Sequence, residues 1–156
     1  MNENSLISLE EKVHKAFAGV QLEGGIGLFQ AQAIDDWLDE RNEEIAKESD
    51  ERIDWRIIPT DALNQCSSSL SFLDAKGMRF LFPAFLLAEI KGDYTECSVL
   101  YEIYLACKEK DERFALFNQE QKRVIFEFIK WAYCNSKYEN HQNELLDMLT
   151  MQYSFW

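Results

Sequence analysis

Glu23-Gly24-Gly25-Ile26-Gly27-Leu28 sets three glycines just ahead of a helix-prone apolar stretch. Backbone N–H groups in such a loop can cradle a phosphate. The pattern has no Walker lysine, does not fit GxGxxG, and carries a carboxylate, Glu23, that disfavours an anion. A tight connection between two helices is the expected role. The two histidines, His14 and His141, have no Cys, Asp or Glu partner at zinc spacing, and HExxH is absent; no metal and no cofactor is expected. The four cysteines, Cys66, Cys97, Cys107 and Cys134, lack CxxC spacing. All but Cys66 fall in or beside helical apolar patterns, where thiols are usually buried and inert. Carboxylates are so abundant that a glycosidase-like pair could be nominated anywhere, yet none stands in an apolar setting that would raise its pKa. No catalytic residue is expected.

One concentration stands out. Between Asp35 and Asp54, ten acidic residues face three basic ones, a net −7 within a chain whose formal charge is −12. Asp35, Asp36, Asp39, Glu40, Glu43 and Glu44 would lie on the outer face of a long helix, as a solvated surface or as contacts for a partner. An acidic surface repels nucleic acid and anionic lipid and steers cationic partners toward it.

The elements that carry these residues read as helical. With 6 Gly and 2 Pro among 156 residues, turn residues are too scarce for an all-β sandwich. Apolar residues make up 47% and aromatics 13%, too rich for disorder. Ser8-Leu9-Glu10-Glu11 has a capping-box pattern, predicting a first helix over 8–18 with Leu9, Val13 and Phe17 inward. A second helix is predicted from Leu28 to Glu48, with Ala31, Ile34, Trp37, Leu38 and Ile45 on its apolar stripe. Thr60 or Asp61 would cap a short helix through Asn64. Two short apolar runs, Leu70 to Leu73 and Met78 to Phe82, are joined by Asp74-Ala75-Lys76-Gly77 and predict a hairpin at about 70–82. Pro83 would then open a helix ending near Gly92. Further helices are predicted over 96–108, over 119–136 behind the cap Asn118-Gln119-Glu120-Gln121, and over 139–151. The fold expected is mainly α, a single domain over 1–156, with about six helices and one small hairpin.

Residues 1–8 lack a basic then apolar leader, and the run Phe80 to Ala88, broken by Pro83, is far shorter than the roughly 20 residues that span a bilayer. A cytoplasmic protein with reduced thiols and no membrane contact is expected. Tyr153, Phe155 and Trp156 form an aromatic tail, either docked on the core or an interface anchor.

The stretch Ser71-Phe72-Leu73-Asp74-Ala75-Lys76-Gly77-Met78-Arg79-Phe80-Leu81-Phe82-Pro83-Ala84-Phe85, with Trp55 and Arg113-Phe114-Ala115-Leu116-Phe117-Asn118-Gln119-Glu120-Gln121, resembles a family of small bacterial proteins of unknown function. That family's pattern reads sFLDaeGfrFyLPA and then rFalLnxeQ. The resemblance spans about 10–132, leaving 139–156 as an extra helix and tail, and it implies no catalytic residues. Phe72, Asp74, Gly77, Arg79, Phe80 and Pro83 are expected to be structural: Phe72 pairing with Phe80 across the hairpin, and Arg79 with Asp74 at its end. The functional expectation is an acidic binding protein of the immunity type, meeting a protein partner, a bacterial toxin with a basic surface. The alternatives are a small enzyme with a site near the hairpin and a general adaptor.

Overall fold

The computed structural model describes residues 3–95 and 99–151, with side chains from residue 9 onward. Cys97 and the aromatic tail Tyr153, Phe155 and Trp156 lie outside the described residues. Among these, eight α-helices and no strand are found: α1 (Glu3–Ala16), α2 (Leu28–Asp35), α3 (Glu40–Glu48), α4 (Thr60–Gln65), α5 (Ala75–Lys91), α6 (Val99–Glu109), α7 (Gln119–Tyr133) and α8 (Gln142–Thr150). Short 3-10 turns link several of them. None of the described helices is long and apolar enough to cross a membrane.

The helices group into two compact units. One comprises Met1–Ala18, Leu100–Asp111 and Phe117–Trp156; the other comprises Gly19–Val99 and Glu112–Leu116. In the first, Leu9 and Val13 of α1 and Phe17 just past its end are buried at four-residue spacing, one face of a helix. Phe17 meets Phe117 edge-on at 5.7 Å. The Gln121 side chain donates to the Ala16 carbonyl at 3.2 Å, closing the end of α1. The Asn118 capping box forms as the sequence predicts: Asn118 accepts from the Gln121 N–H and the Gln121 side chain accepts from the Asn118 N–H. Val124, Ile125, Phe128, Ile129 and Ala132 of α7 are all buried. The helix predicted over 8–18 starts earlier, because α1 begins at Glu3 and Ser8 lies within it rather than at its start.

The second unit is built on α5, in which Phe80 to Ile90 is buried without interruption. A helix apolar on every side is buried on every side. Phe82 packs edge-on against Phe114 at 5.4 Å and Phe85 against Tyr94 at 5.2 Å. Arg113 donates to the Leu70 carbonyl at 2.6 Å. The predicted hairpin at 70–82 is therefore corrected: Ser69–Phe72 is a 3-10 turn, and the second run lies in the first turns of α5. The cause is local. Asp74 takes extended backbone and its carboxylate accepts the Gly77 N–H at 2.8 Å, a side-chain cap that starts a helix where a turn residue was expected. Pro83 consequently sits inside α5 rather than at its start. Phe72 is partly exposed while Phe80 is fully buried, so the two do not pair.

The long second helix is also corrected. It breaks after Asp35 through a Schellman motif: the Leu38 N–H reaches the Ala33 carbonyl at 3.0 Å and the Trp37 N–H that of Ile34 at 3.2 Å. Asp39 then caps α3 by accepting the Asn42 N–H at 2.9 Å. In such a motif the residue at Trp37's position is left-handed, and glycine is the usual occupant. Gly92 holds the equivalent place after α5 with φ +80. Trp37 holds it with φ +55, a conformation that costs an L-residue about 1–2 kcal/mol.

Candidate functional site

The glycine loop binds anions, and the anions are the protein's own carboxylates. α2 starts at Gly27, which has no side chain to cap it. Asp50 supplies the missing acceptors from a distant part of the chain: one oxygen takes the Phe29 N–H at 2.7 Å and the other the Gln30 N–H at 3.3 Å. A Cβ on Gly27 would collide with the Asp50 carboxylate. On the other side of the loop, Asp74 Oδ1 accepts the Ile26 N–H at 3.0 Å as well as that of Gly77. A Cβ on Gly77 would fall inside the contact distance of the Ile26 carbonyl. Glu23 approaches Lys76 at 3.2 Å and Arg79 at 3.7 Å, while its carbonyl accepts from Arg52 at 2.8 Å. Arg79 thus faces Glu23, not Asp74 as expected. The N–H groups of Gly25, Ile26, Phe29 and Gln30 are thus taken by the protein's own acceptors, and the loop is a structural joint between α2 and α5.

Burial is the larger influence on Asp50 and raises its pKa; the N–H groups of Phe29 and Gln30 and the charge of Arg52 pull it back only in part. The folded state therefore holds the Asp50 proton more tightly than the unfolded chain. Its contribution to stability is greatest below the unfolded value and is lost as pH rises through the folded one. Denaturant titrations of the protein and of Asp50→Asn at several pH values should show the difference between them shifting against the parent as pH rises from 4 to 7. A shift in the opposite direction would mean that the N–H bonds outweigh burial.

The six acidic residues singled out by sequence fall on the α2–α3 corner. Asp35 accepts from the Ser68 hydroxyl at 2.6 Å, Asp36 from the Gln32 amide at 3.1 Å, and Glu43 from the Gln30 amide at 3.0 Å. Glu44 pairs with Lys47 at 3.2 Å, Asp39 is the cap of α3, and Glu40 is exposed. Trp37, expected in a core stripe, is 93% exposed, with Leu38 and Ile45 about half exposed beside it. At this corner lies a groove of two adjoining clefts that share Phe29 and Ser49; of these three residues Leu38 is in its lining. The cleft of about 380 Å³ is lined by Ala33, Ala46 and Cys66 together with the more exposed Leu38 and Asp36. The cleft of about 260 Å³ is walled by Ile57, Ile58 and Pro59 and edged by Asp50 and Glu51. Neither is lined by Lys or Arg.

Sequence reasoning missed Trp37, Asp50 and the groove. Asp39 before Glu40 and Glu43 carried a readable signal for a helix start. Nothing in the sequence marks Asp50 as the cap of a helix twenty residues away, or Trp37 as left-handed.

Burial, with Asp50 and Asp36 nearby, pushes the Cys66 thiol up to about 11, and burial does the same for Cys107. Neither provides a thiolate nucleophile near neutral pH. Cys134 is exposed. Among the described residues, no three His, Cys, Asp or Glu side chains group to hold a metal ion. No curated protein and no solved structure matches the chain. A family model does match, over residues 5–156, so it takes in the last helix as well as the 10–132 stretch that carries the motifs: the chain belongs to DUF6714, a family of unknown function.

Proposed function

We propose that this protein is an acidic binding protein of the immunity type, which neutralises a cognate bacterial toxin by holding a basic surface of it against the α2–α3 corner. The observation that carries the reading is that α3 has no buried residue. A helix that buries nothing adds little to the core of its own unit, and this one displays Glu40, Glu43 and Glu44 behind the cap Asp39. Internal hydrogen bonds hold several of these carboxylates in place, so less side-chain freedom is lost when a partner arrives. Charge of one sign, held in fixed positions, mainly raises association rate and selects the partner.

The test uses the tagged protein as bait in the native bacterium. A stoichiometric partner carrying a toxin domain, whose growth inhibition the protein relieves, supports the reading. A stoichiometric partner without toxic activity turns it into an adaptor. Reversal of Glu40, Glu43 and Glu44 to Lys together should slow association with that partner about tenfold or more at low salt; because it also removes the Glu43–Gln30 hydrogen bond and the acidic first turn of α3, the rate is read well below the variant's own unfolding midpoint. An unchanged rate removes α3 from the interface.

A further inference from the structure

The geometry points to a peptide-docking groove at this corner: the two clefts that share Phe29 and Ser49 receive two apolar side chains from a basic segment of a partner protein, and Trp37, between the cleft residues Asp36 and Leu38 in sequence, is the exposed anchor beside them. The inference deepens the binding reading and rests on it. Three observations converge. Trp37 stands in the left-handed position that Gly92 fills after α5, yet its indole is 93% exposed. The side chain adds almost nothing to the core, while the backbone would be more at ease with glycine. Exposed tryptophans beside apolar pockets are the side chains that most often dominate protein interfaces. The floor of the groove, Ala33, Ala46 and Cys66, is apolar, and Leu38 and Ile57 at its sides are exposed. Asp36 and Glu51 stand in its lining, with Asp50 buried beside them as the cap of α2, and no basic residue is among the lining groups.

Charge decides the occupant. Apolar floors take aliphatic or aromatic side chains, and the carboxylate edges favour arginine or lysine around them. An indole face also attracts a guanidinium. An acidic peptide or a nucleic acid would meet the Asp36 and Glu51 carboxylates, with no lysine or arginine among the lining residues. A second copy of this chain would bring another acidic corner. The segment that fits is amphipathic and basic.

The probe is a synthetic helical peptide of about 16 residues, with arginines on its polar face and two leucines about seven positions, or about 10 Å, apart. Its partner controls replace both leucines by alanine at equal charge, or the arginines by glutamate. Calorimetry gives the affinity, and NMR follows the Trp37 indole and the methyl groups of Ala33 and Ala46. Saturable one-to-one binding that moves these signals is expected, weakened about tenfold or more by the alanine control and abolished by the glutamate one. Trp37→Gly should weaken the leucine peptide about tenfold while unfolding at the same or a higher temperature, which separates lost contact from lost fold. Equal binding of the leucine and alanine peptides, an unaffected Trp37→Gly variant, or no binding at all overturns the groove. A toxin recovered with the native protein while the groove fails leaves the acidic surface as the interface. Groove binding with no toxin recovered retains the groove and removes the immunity role.

Discussion

Gly77→Ala is expected to destabilise the protein by about 2 kcal/mol, against the sign that helix propensity predicts. Gly77 lies in the first turn of α5 with ordinary helical backbone, since the glycines with positive φ are Gly19 and Gly92. In an unhindered helix, alanine would be better by about 1 kcal/mol. Here the new methyl would meet the Ile26 carbonyl, a backbone atom held in place by its own neighbours: the Ile26 N–H is bonded to Asp74 and the Gly25 N–H to the Leu22 carbonyl. A flexible side chain could swing aside; a tied backbone cannot. Overpacking of this kind costs about 1–3 kcal/mol, and the loop must move from α5 to accommodate it. For a chain of 156 residues, a loss of about 2 kcal/mol corresponds to a fall of about 4–8 °C in unfolding midpoint. A midpoint that rises would show that the loop yields freely and that the glycine has no steric role.

Gly77 also shows where the sequence was legible and where it was not. The residues that bear the motif were visible, but their use was misread. Two short apolar runs around a glycine look alike whether they are strands of a hairpin or turns of a helix buried all round, because periodicity vanishes when every face is apolar. The Asn118 capping box was read correctly because both halves of the signal lie within four residues and depend on nothing else. The corner failed for the opposite reason. A continuous apolar stripe through Trp37 and Leu38 argued for one long helix, and a left-handed tryptophan contradicts residue preference. Only the fold reveals it. Asp50 was counted in the acidic stretch yet works as a cap, a role set by tertiary placement rather than by spacing. The charge of the corner was legible in full; the groove beneath it needed the turn between α2 and α3.

Asp74→Ala is expected to cost about 3 kcal/mol, from two backbone N–H groups that lose a charged acceptor, each worth about 1.5–3 kcal/mol. One oxygen, Oδ1, accepts from both Ile26 and Gly77. Asp74→Asn keeps a carbonyl oxygen able to occupy that place, and asparagine caps helices about as well as aspartate. It should retain more than half of the stability lost in the alanine variant. Asp50 has the contrary arrangement, because its two N–H donors, from Phe29 and Gln30, meet different oxygens. An amide there can satisfy one donor, while its NH2 faces the other. Asp50→Asn should therefore recover little relative to Asp50→Ala, although both residues cap helix starts in the same loop. Denaturant unfolding of the four variants decides the matter. If asparagine rescues both positions alike, charge and single-acceptor geometry do not distinguish the two caps. If it rescues Asp74 alone, the motif aspartate acts as one shared oxygen joining the glycine loop to α5, and Gly77 is the space that lets the loop reach it.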